Sequence, residues 1–297
     1  MVNLKFRIME TLNVKKSEKD FHILLKTVPK KSDCERIIDK DCIIYENGKA
    51  IIIYKIIDSD SINKIKRIIT NVRYSKSARS NGLPTQSAIF GSLPRVPNRN
   101  NYCRITADTK NQKKESKEIM EFSKIIDDIY KCLLPEQHEL NLKIIKDNVD
   151  GDYIIGSTPF TTININVNHA IRYHKDTGNF KNVYSNVLII KEGVLGGHLI
   201  CPEYNIGFKQ SDGALILFDG QAIIHGVTPI KLVEADGFRC SCVFYSLATM
   251  KNCYPYKLEL ERIKIVRDEI ESRWRSDPTK LTGYVKHMKN LKNKPNE

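Results

Sequence analysis

Between positions 113 and 134, Ile119, Phe122, Ile125, Ile126, Ile129 and Tyr130 recur at intervals of three and four residues. Side chains so spaced share one face of an α-helix, and Pro135, which has no amide hydrogen to offer, ends it. A second helix is expected over about 136–146. Earlier in the chain, Ala50-Ile51-Ile52-Ile53-Tyr54-Lys55-Ile56-Ile57 predicts a strand and 61–70 a short helix. After Pro159 the pattern changes. Short apolar and β-branched runs at 160–167, 184–190, 198–201, 214–218 and 238–247 are separated by turn formers such as Thr177-Gly178-Asn179, Gly193, Gly196-Gly197 and Asp212-Gly213. Many short strands at this spacing predict a barrel, jelly roll or sandwich. The chain then returns to helix at 257–275 and again at 279–290, where basic residues crowd.

The segment 75–104 is rich in Gly, Pro, Asn and Ser, so little regular structure is expected there. It also carries Arg79, Arg95, Arg99 and Arg104 with Ile89, Phe90 and Leu93, which suits an ordered binding loop better than a linker. These changes divide the chain into a mixed α/β region (1–74), a core with its supporting helices (75–250) and a helical tail (251–297). No internal repeat is visible.

The 297 residues, 41% apolar and 28% charged, suffice for a buried core. No apolar run approaches the roughly 20 residues that span a bilayer. The N-terminus lacks the pattern of a secretory signal, so no membrane partner is expected, and an intracellular protein of cytoplasm or nucleus is. Eight cysteines at 34, 42, 103, 132, 201, 240, 242 and 253 form no CxxC pair, which predicts reduced, partly buried thiols. The formal net charge of +13 suits a polyanionic partner such as nucleic acid. A composition rich in lysine produces the same excess without one, so charge alone leaves both readings open.

Tyr173-His174-Lys175-Asp176 carries a histidine and a carboxylate two residues apart, which at a strand end point the same way. A second histidine, His225, follows Asp176 by 49 residues. Two histidines and one carboxylate occupy one face of an octahedral iron(II) ion and leave positions open, whereas a structural zinc site is closed by four ligands. Taken singly, Asp176 reads equally as a turn cap and His225 as a satisfied core histidine. All three in order within one β region, with a basic residue following, favour the metal. That residue is Arg239, 14 positions after His225 in Gly237-Phe238-Arg239-Cys240-Ser241-Cys242. An arginine among apolar and thiol neighbours needs an acidic partner, and a bidentate pair with the distal carboxylate of a dicarboxylic cosubstrate supplies one. Ser241 shares its face.

The stretches 170–180, Gly196-Gly197-His198-Leu199-Ile200-Cys201-Pro202-Glu203-Tyr204 and Gly213-Ala214-Leu215-Ile216-Leu217-Phe218-Asp219, followed by His225, resemble the TET/JBP oxygenases, the JBP thymidine hydroxylase branch more than the TET branch. The resemblance implies an α+β fold with a double-stranded β-helix (jelly-roll) core, supporting helices and a C-terminal helical tail. It also implies iron(II), 2-oxoglutarate and dioxygen, and hydroxylation of the 5-methyl group of a pyrimidine, thymine or 5-methylcytosine, in DNA. By the same resemblance His174, Asp176 and His225 are the catalytic metal ligands, and Arg239 with Ser241 binds the cosubstrate. Asn179, three residues after Asp176, falls where the family contacts the target base, or is a turn residue after Gly178. His198 stands one residue away from the family's spacing to the proline and is left out of the site. For DNA, Arg79, Arg95 and Arg99 are candidates for phosphates, and Asn81 or Gln86 for the base. The alternatives are a 2-oxoglutarate-dependent hydroxylase of RNA, a protein side chain or a small metabolite, and a DNA-binding protein without activity. The intact triad and Arg239 argue against the last.

Overall fold

A computed structural model describes residues 9–78, 84–96 and 101–276. The first part of the chain supplies β1 (Glu10–Asn13), β2 (Arg36–Ile38), β3 (Cys42–Glu46), β4 (Lys49–Ile56), α1 (Ser59–Asn71), β5 (Ser75–Ala78), β6 (Pro84–Leu93) and β7 (Arg104–Ile105). Three helices follow: α2 (Ala107–Asn111), α3 (Lys113–Leu133) and α4 (Pro135–Asn148). The strands β8 (Thr162–Val167), β9 (Ser185–Glu192), β10 (Val194–Gly196), β11 (Leu199–Cys201), β12 (Ile206–Phe208) and β13 (Ala214–Phe218) come next. β14 (Gly226–Val227), β15 (Ile230–Leu232) and β16 (Phe238–Tyr245) complete them before α5 (Tyr256–Ser276).

Among the described residues ten strands form one sheet along the path β1-β3-β4-β13-β9-β16-β8-β6-β5, with β7 attached to β6. A second sheet of four short strands runs β14-β11-β12-β2, and β10 pairs with β15. The expected double-stranded β-helix jelly roll is not the architecture found. Among the described residues the large sheet has two ends, at β1 and β5, and its ladder does not close into a barrel. The physical reason lies at the two ends of that sheet: β1, β3 and β4, from the region before the expected core, extend one end and β5 and β6 the other, while the opposing sheet has strands of only two or three residues. The fold is a mixed α+β arrangement of several open sheets. Segment 75–104 is likewise more regular than its glycines and prolines predicted, since β6 runs for ten residues.

Each face of the large sheet has its own cover. α1 and α3 pack Ile65, Ile69, Ile119, Phe122 and Ile126 against Phe90, Ile163, Ile165, Leu188, Leu217 and Phe244. α1 starts where the Asp58 side chain accepts the Ser61 amide hydrogen at 2.8 Å, a cap that satisfies one of the four unpaired donors of a first turn. α3 ends before Pro135, which opens α4. On the other face the small sheet supplies Leu199, Cys201, Ile206 and Phe208 against Ile189, Ile216, Phe218 and Tyr54. No helix among the described residues is long and apolar enough to cross a membrane.

The thiol expectation is corrected at one place. Cys103 and Cys253 form a disulfide, with Cα atoms 5.6 Å apart, while Cys34, Cys42, Cys132, Cys201, Cys240 and Cys242 are free. The two partners are 150 residues apart in sequence and meet in the apolar cluster around Val149, Tyr153 and Met250. No local spacing announces such a pair.

Candidate metal centre and cosubstrate cavity

His174 and His225 lie outside the named strands but pair as an isolated antiparallel bridge. The His174 amide donates to the His225 carbonyl at 2.9 Å and the His225 amide to the His174 carbonyl at 3.0 Å. This places the two rings with centroids 4.3 Å apart. Asp176 follows, its amide donating to the Gly220 carbonyl at 2.8 Å. His174 Nε2 stands 3.3 Å from Asp176 Oδ1 and His225 Nε2 4.0 Å from Asp176 Oδ2. One ligand atom from each residue falls within 4.8 Å of the others, and among the described residues this is the group that could hold a metal.

Each imidazole is set to ligate through Nε2. His174 Nδ1 is 2.9 Å from the Arg172 carbonyl and His225 Nδ1 2.9 Å from the Ile223 carbonyl. A carbonyl only accepts, so Nδ1 carries the hydrogen and Nε2 keeps its lone pair. Burial, then the neighbouring His174, pushes His225 down to about 4. It is therefore neutral at pH 7, as a metal ligand must be. Two imidazole nitrogens and one carboxylate are the donor set of an open iron(II) site rather than of a closed zinc site.

Along β16 the side chains alternate. Phe238, Cys240, Cys242 and Phe244 pack toward the helix-covered core, and Arg239, Ser241, Val243 and Tyr245 line a cavity of about 300 Å³ that also contains His174, Asp176 and His225. Arg239 is 1% exposed. Its Nη2 donates to the Gln210 side-chain oxygen, and Nε and Nη1 are buried with no partner among the described residues. Desolvation pushes the guanidinium down to about 10, still a cation at neutral pH. A buried cation facing only a neutral amide is costly. A ligand carboxylate is the group that would complete it, and Ser241 on the same face can add a hydroxyl. Gly197, at φ +70°, allows the guanidinium to lie close: a Cβ there would stand 3.0 Å from Arg239 Cδ and Nε.

The structure treats the other candidates differently. Asn179 lines the cavity; its Nδ2 donates to Ser185 Oγ at 3.1 Å and its backbone bridges to Leu247. Arg95 is paired with the buried carboxylate of Glu259, and its guanidinium lies 4.7 Å from the Tyr254 ring centroid. Gln86 is exposed and stands opposite Val167, on the sheet face away from the cavity. Arg79, Asn81 and Arg99 lie outside the described residues. His198 is half-buried and does not line the cavity, and its Nδ1 has no partner among the described residues. Sequence reasoning missed Asn164, Asn166 and Gln210, which do line it. The alternation Thr162-Ile163-Asn164-Ile165-Asn166 was a signal for the first two; Gln210 had none.

Two histidines and a carboxylate beside a buried arginine that lacks its acid define a centre of the ferrous, 2-oxoglutarate-dependent oxygenase class. The family model Tet_JBP, described as the oxygenase domain of the 2OGFeDO superfamily, matches residues 95–248, just over half of the chain, and the chain belongs to that family. It is 26% identical over 246 residues, 79% of its length, to the thymine dioxygenase JBP1 of Trypanosoma brucei brucei. It is 24% identical over 189 residues, 63% of its length, to the bifunctional helicase and thymine dioxygenase JBP2 of that organism. The chain spans only 29% and 17% of those two proteins. Among solved structures, NgTET1 in complex with 5mC DNA shares the fold with a TM-score of 0.56 at 13% identity, covering 81% of this chain and 91% of that one.

Proposed function

We propose that the chain is an iron(II)- and 2-oxoglutarate-dependent dioxygenase that hydroxylates the 5-methyl group of thymine or 5-methylcytosine in DNA. The observation that carries this reading is the buried Arg239, short of a carboxylate, in the same cavity as the His174, Asp176 and His225 ligand atoms. The relatives named thymine dioxygenases and the DNA-bound NgTET1 support the choice of substrate.

Bound iron(II) with 2-oxoglutarate would supply dioxygen activation and C–H hydroxylation, with succinate and carbon dioxide as coproducts. The protein does the positioning. His174, Asp176 and His225 hold one face of the ion and leave the other open. Arg239 and Ser241 fix the far carboxylate, so the keto acid end is aimed at that open face. Val243, Val227 and Leu247 make part of the lining apolar, which disfavours water there. A base stacked in a duplex cannot reach a cavity of about 300 Å³ under a sheet; it has to be flipped out, at a cost of a few kcal/mol. The net charge of +13 favours the phosphate backbone that such a base remains attached to. Its place of action would then be the compartment that holds the DNA.

The test is mass spectrometry of nucleosides from DNA incubated with protein, iron(II) and 2-oxoglutarate. Hydroxymethyl pyrimidine is expected, and none with His174→Ala. Thymine and 5-methylcytosine left unchanged in several sequence contexts, with succinate still released, would instead point to RNA, a protein or a metabolite.

A further inference from the structure

Asn164 sits in the middle of β8, opposite Val243 of β16 on one side and Ile89 of β6 on the other. Its strand neighbours Ile163 and Ile165 pack into the helix-covered core, so strand alternation turns Asn164 to the opposite face, where it lines the cavity. Its side-chain oxygen is buried and accepts no hydrogen bond among the described residues. Both cross-strand neighbours are apolar. Nothing in the fold requires an amide here, and a buried polar group without a partner costs stability. Because Asn164 also lines the cavity, a ligand held there would supply the missing donor.

Position along the strands says which ligand. β16 advances about 3.3 Å per residue, so Val243 lies roughly 13 Å beyond Arg239, further than a five-carbon dicarboxylate anchored at Arg239 extends. Ser241, opposite Asn166, stands between the two levels. Past Val243 come Tyr245 and then Leu247, which bridges to Asn179. Asn164 therefore belongs to the Asn179 end of the cavity, away from the cosubstrate anchor.

We propose that Asn164 is a base-contacting residue that hydrogen-bonds the polar edge of the extruded pyrimidine while the 5-methyl group is held at the metal face. The inference rests on the DNA reading above. Thymine offers a carbonyl acceptor and a ring N–H donor on that edge, whereas 5-methylcytosine offers an amino donor and a ring nitrogen acceptor. A carboxamide meets either pattern by turning its oxygen and nitrogen ends about, and among the described residues no protein group donates to the Asn164 oxygen. The residue thus admits both 5-methylpyrimidines and disfavours a base-free or apolar occupant.

The test compares wild type with Asn164→Ala and with Asn164→Val, the second filling the space with a strand-forming side chain. Each variant is expected to lose about tenfold in kcat/KM for DNA, with thymine and 5-methylcytosine affected alike. KM for 2-oxoglutarate and succinate release without DNA are expected to be unchanged, which also shows that the fold is intact. Without turnover, wild type is expected to bind DNA carrying one mismatched 5-methylpyrimidine more tightly than an abasic control, and the variants to lose that preference. Unchanged kcat/KM and base preference in both variants would overturn the assignment, as would a loss confined to KM for 2-oxoglutarate, which would move Asn164 to the cosubstrate site. Absence of hydroxymethyl product from wild type removes the DNA reading itself, a result distinguishable because no variant enters it.

Discussion

Gly220 is packed against the carboxylate of Asp176 so closely that a Cβ on it would stand 2.3 Å from Oδ2 and 3.0 Å from Cγ. The same glycine accepts the Asp176 amide hydrogen through its carbonyl. It holds the Asp176 backbone and leaves room for its side chain. Gly220→Ala must push the carboxylate out of line with the two imidazoles. Misplacing a ligand in this way is expected to weaken iron(II) or cobalt(II) binding by about 10- to 100-fold, measured by titration, with circular dichroism unchanged. Wild-type metal affinity in the variant would mean that Asp176 is not a ligand in this position.

Arg239 gives a prediction of unusual sign. Its guanidinium is buried without an acid, so the empty protein carries the desolvation cost. Arg239→Met is expected to melt at the same temperature as wild type or higher when no cosubstrate is present. Added 2-oxoglutarate is expected to raise the melting temperature of the wild type alone. KM for 2-oxoglutarate is expected to rise on the order of 10- to 100-fold in the variant. A variant that is still stabilised by 2-oxoglutarate would refute the role of Arg239 as anchor.

Glu259, at the foot of α5, accepts hydrogen bonds from Arg95, Arg262 and the Cys103 and Tyr254 amides. Burial alone raises its pKa, but the Arg95 bond and the two amides outweigh it and hold the group below the ordinary 4.5. With the folded value the lower one, the unfolded chain takes up the proton first as pH falls. The stabilisation is therefore complete above about 4.5 and is lost as pH drops through the folded value. Melting curves between about pH 3 and 6 should show this acid limb in wild type and a weaker one in Glu259→Gln, which should also be less stable near neutrality. Identical profiles for the two proteins would remove Glu259 as the source.

The Cys103–Cys253 bond closes a loop of 150 residues. A cross-link over so long a stretch restricts the unfolded chain, and its loss is expected to cost on the order of 2–5 kcal/mol. Reductant is expected to lower the melting temperature of wild type and to leave Cys103→Ser unaffected at an already lowered value. Wild type that melts alike with and without reductant would contradict a stabilising bridge.

How much of this was legible in the sequence depends on the range of the interaction. α3 could be read because Ile119, Phe122, Ile126 and Ile129 meet one neighbouring surface at a local period. His174, Asp176, His225 and Arg239, which the structure brings to one cavity, could be picked out only in combination and with the family resemblance, and Gln210 in the same lining could not be picked out at all. Sheet order could not, because β4 and β13 pair across most of the chain and no local pattern says so. Arg95 looked available for phosphate only because its partner Glu259 lies 164 residues away. Asn164 was visible as a polar interruption in β8, but which face it took depended on β6 and β16.

The two-residue alternation of β16 has a consequence for how this protein can change. One strand supplies both the cationic wall of the cavity and the apolar backing of the helices, on opposite sides of a single backbone. Deleting or inserting one residue ahead of Phe244 would exchange the two sets, sending a guanidinium among phenylalanines and thiols into the ligand's place. Divergence here can therefore proceed only by swapping side chains in situ, whereas length variation is confined to the connections outside the strand. Related chains should keep the interval from Arg239 to Tyr245 fixed even where little else in the neighbourhood is retained.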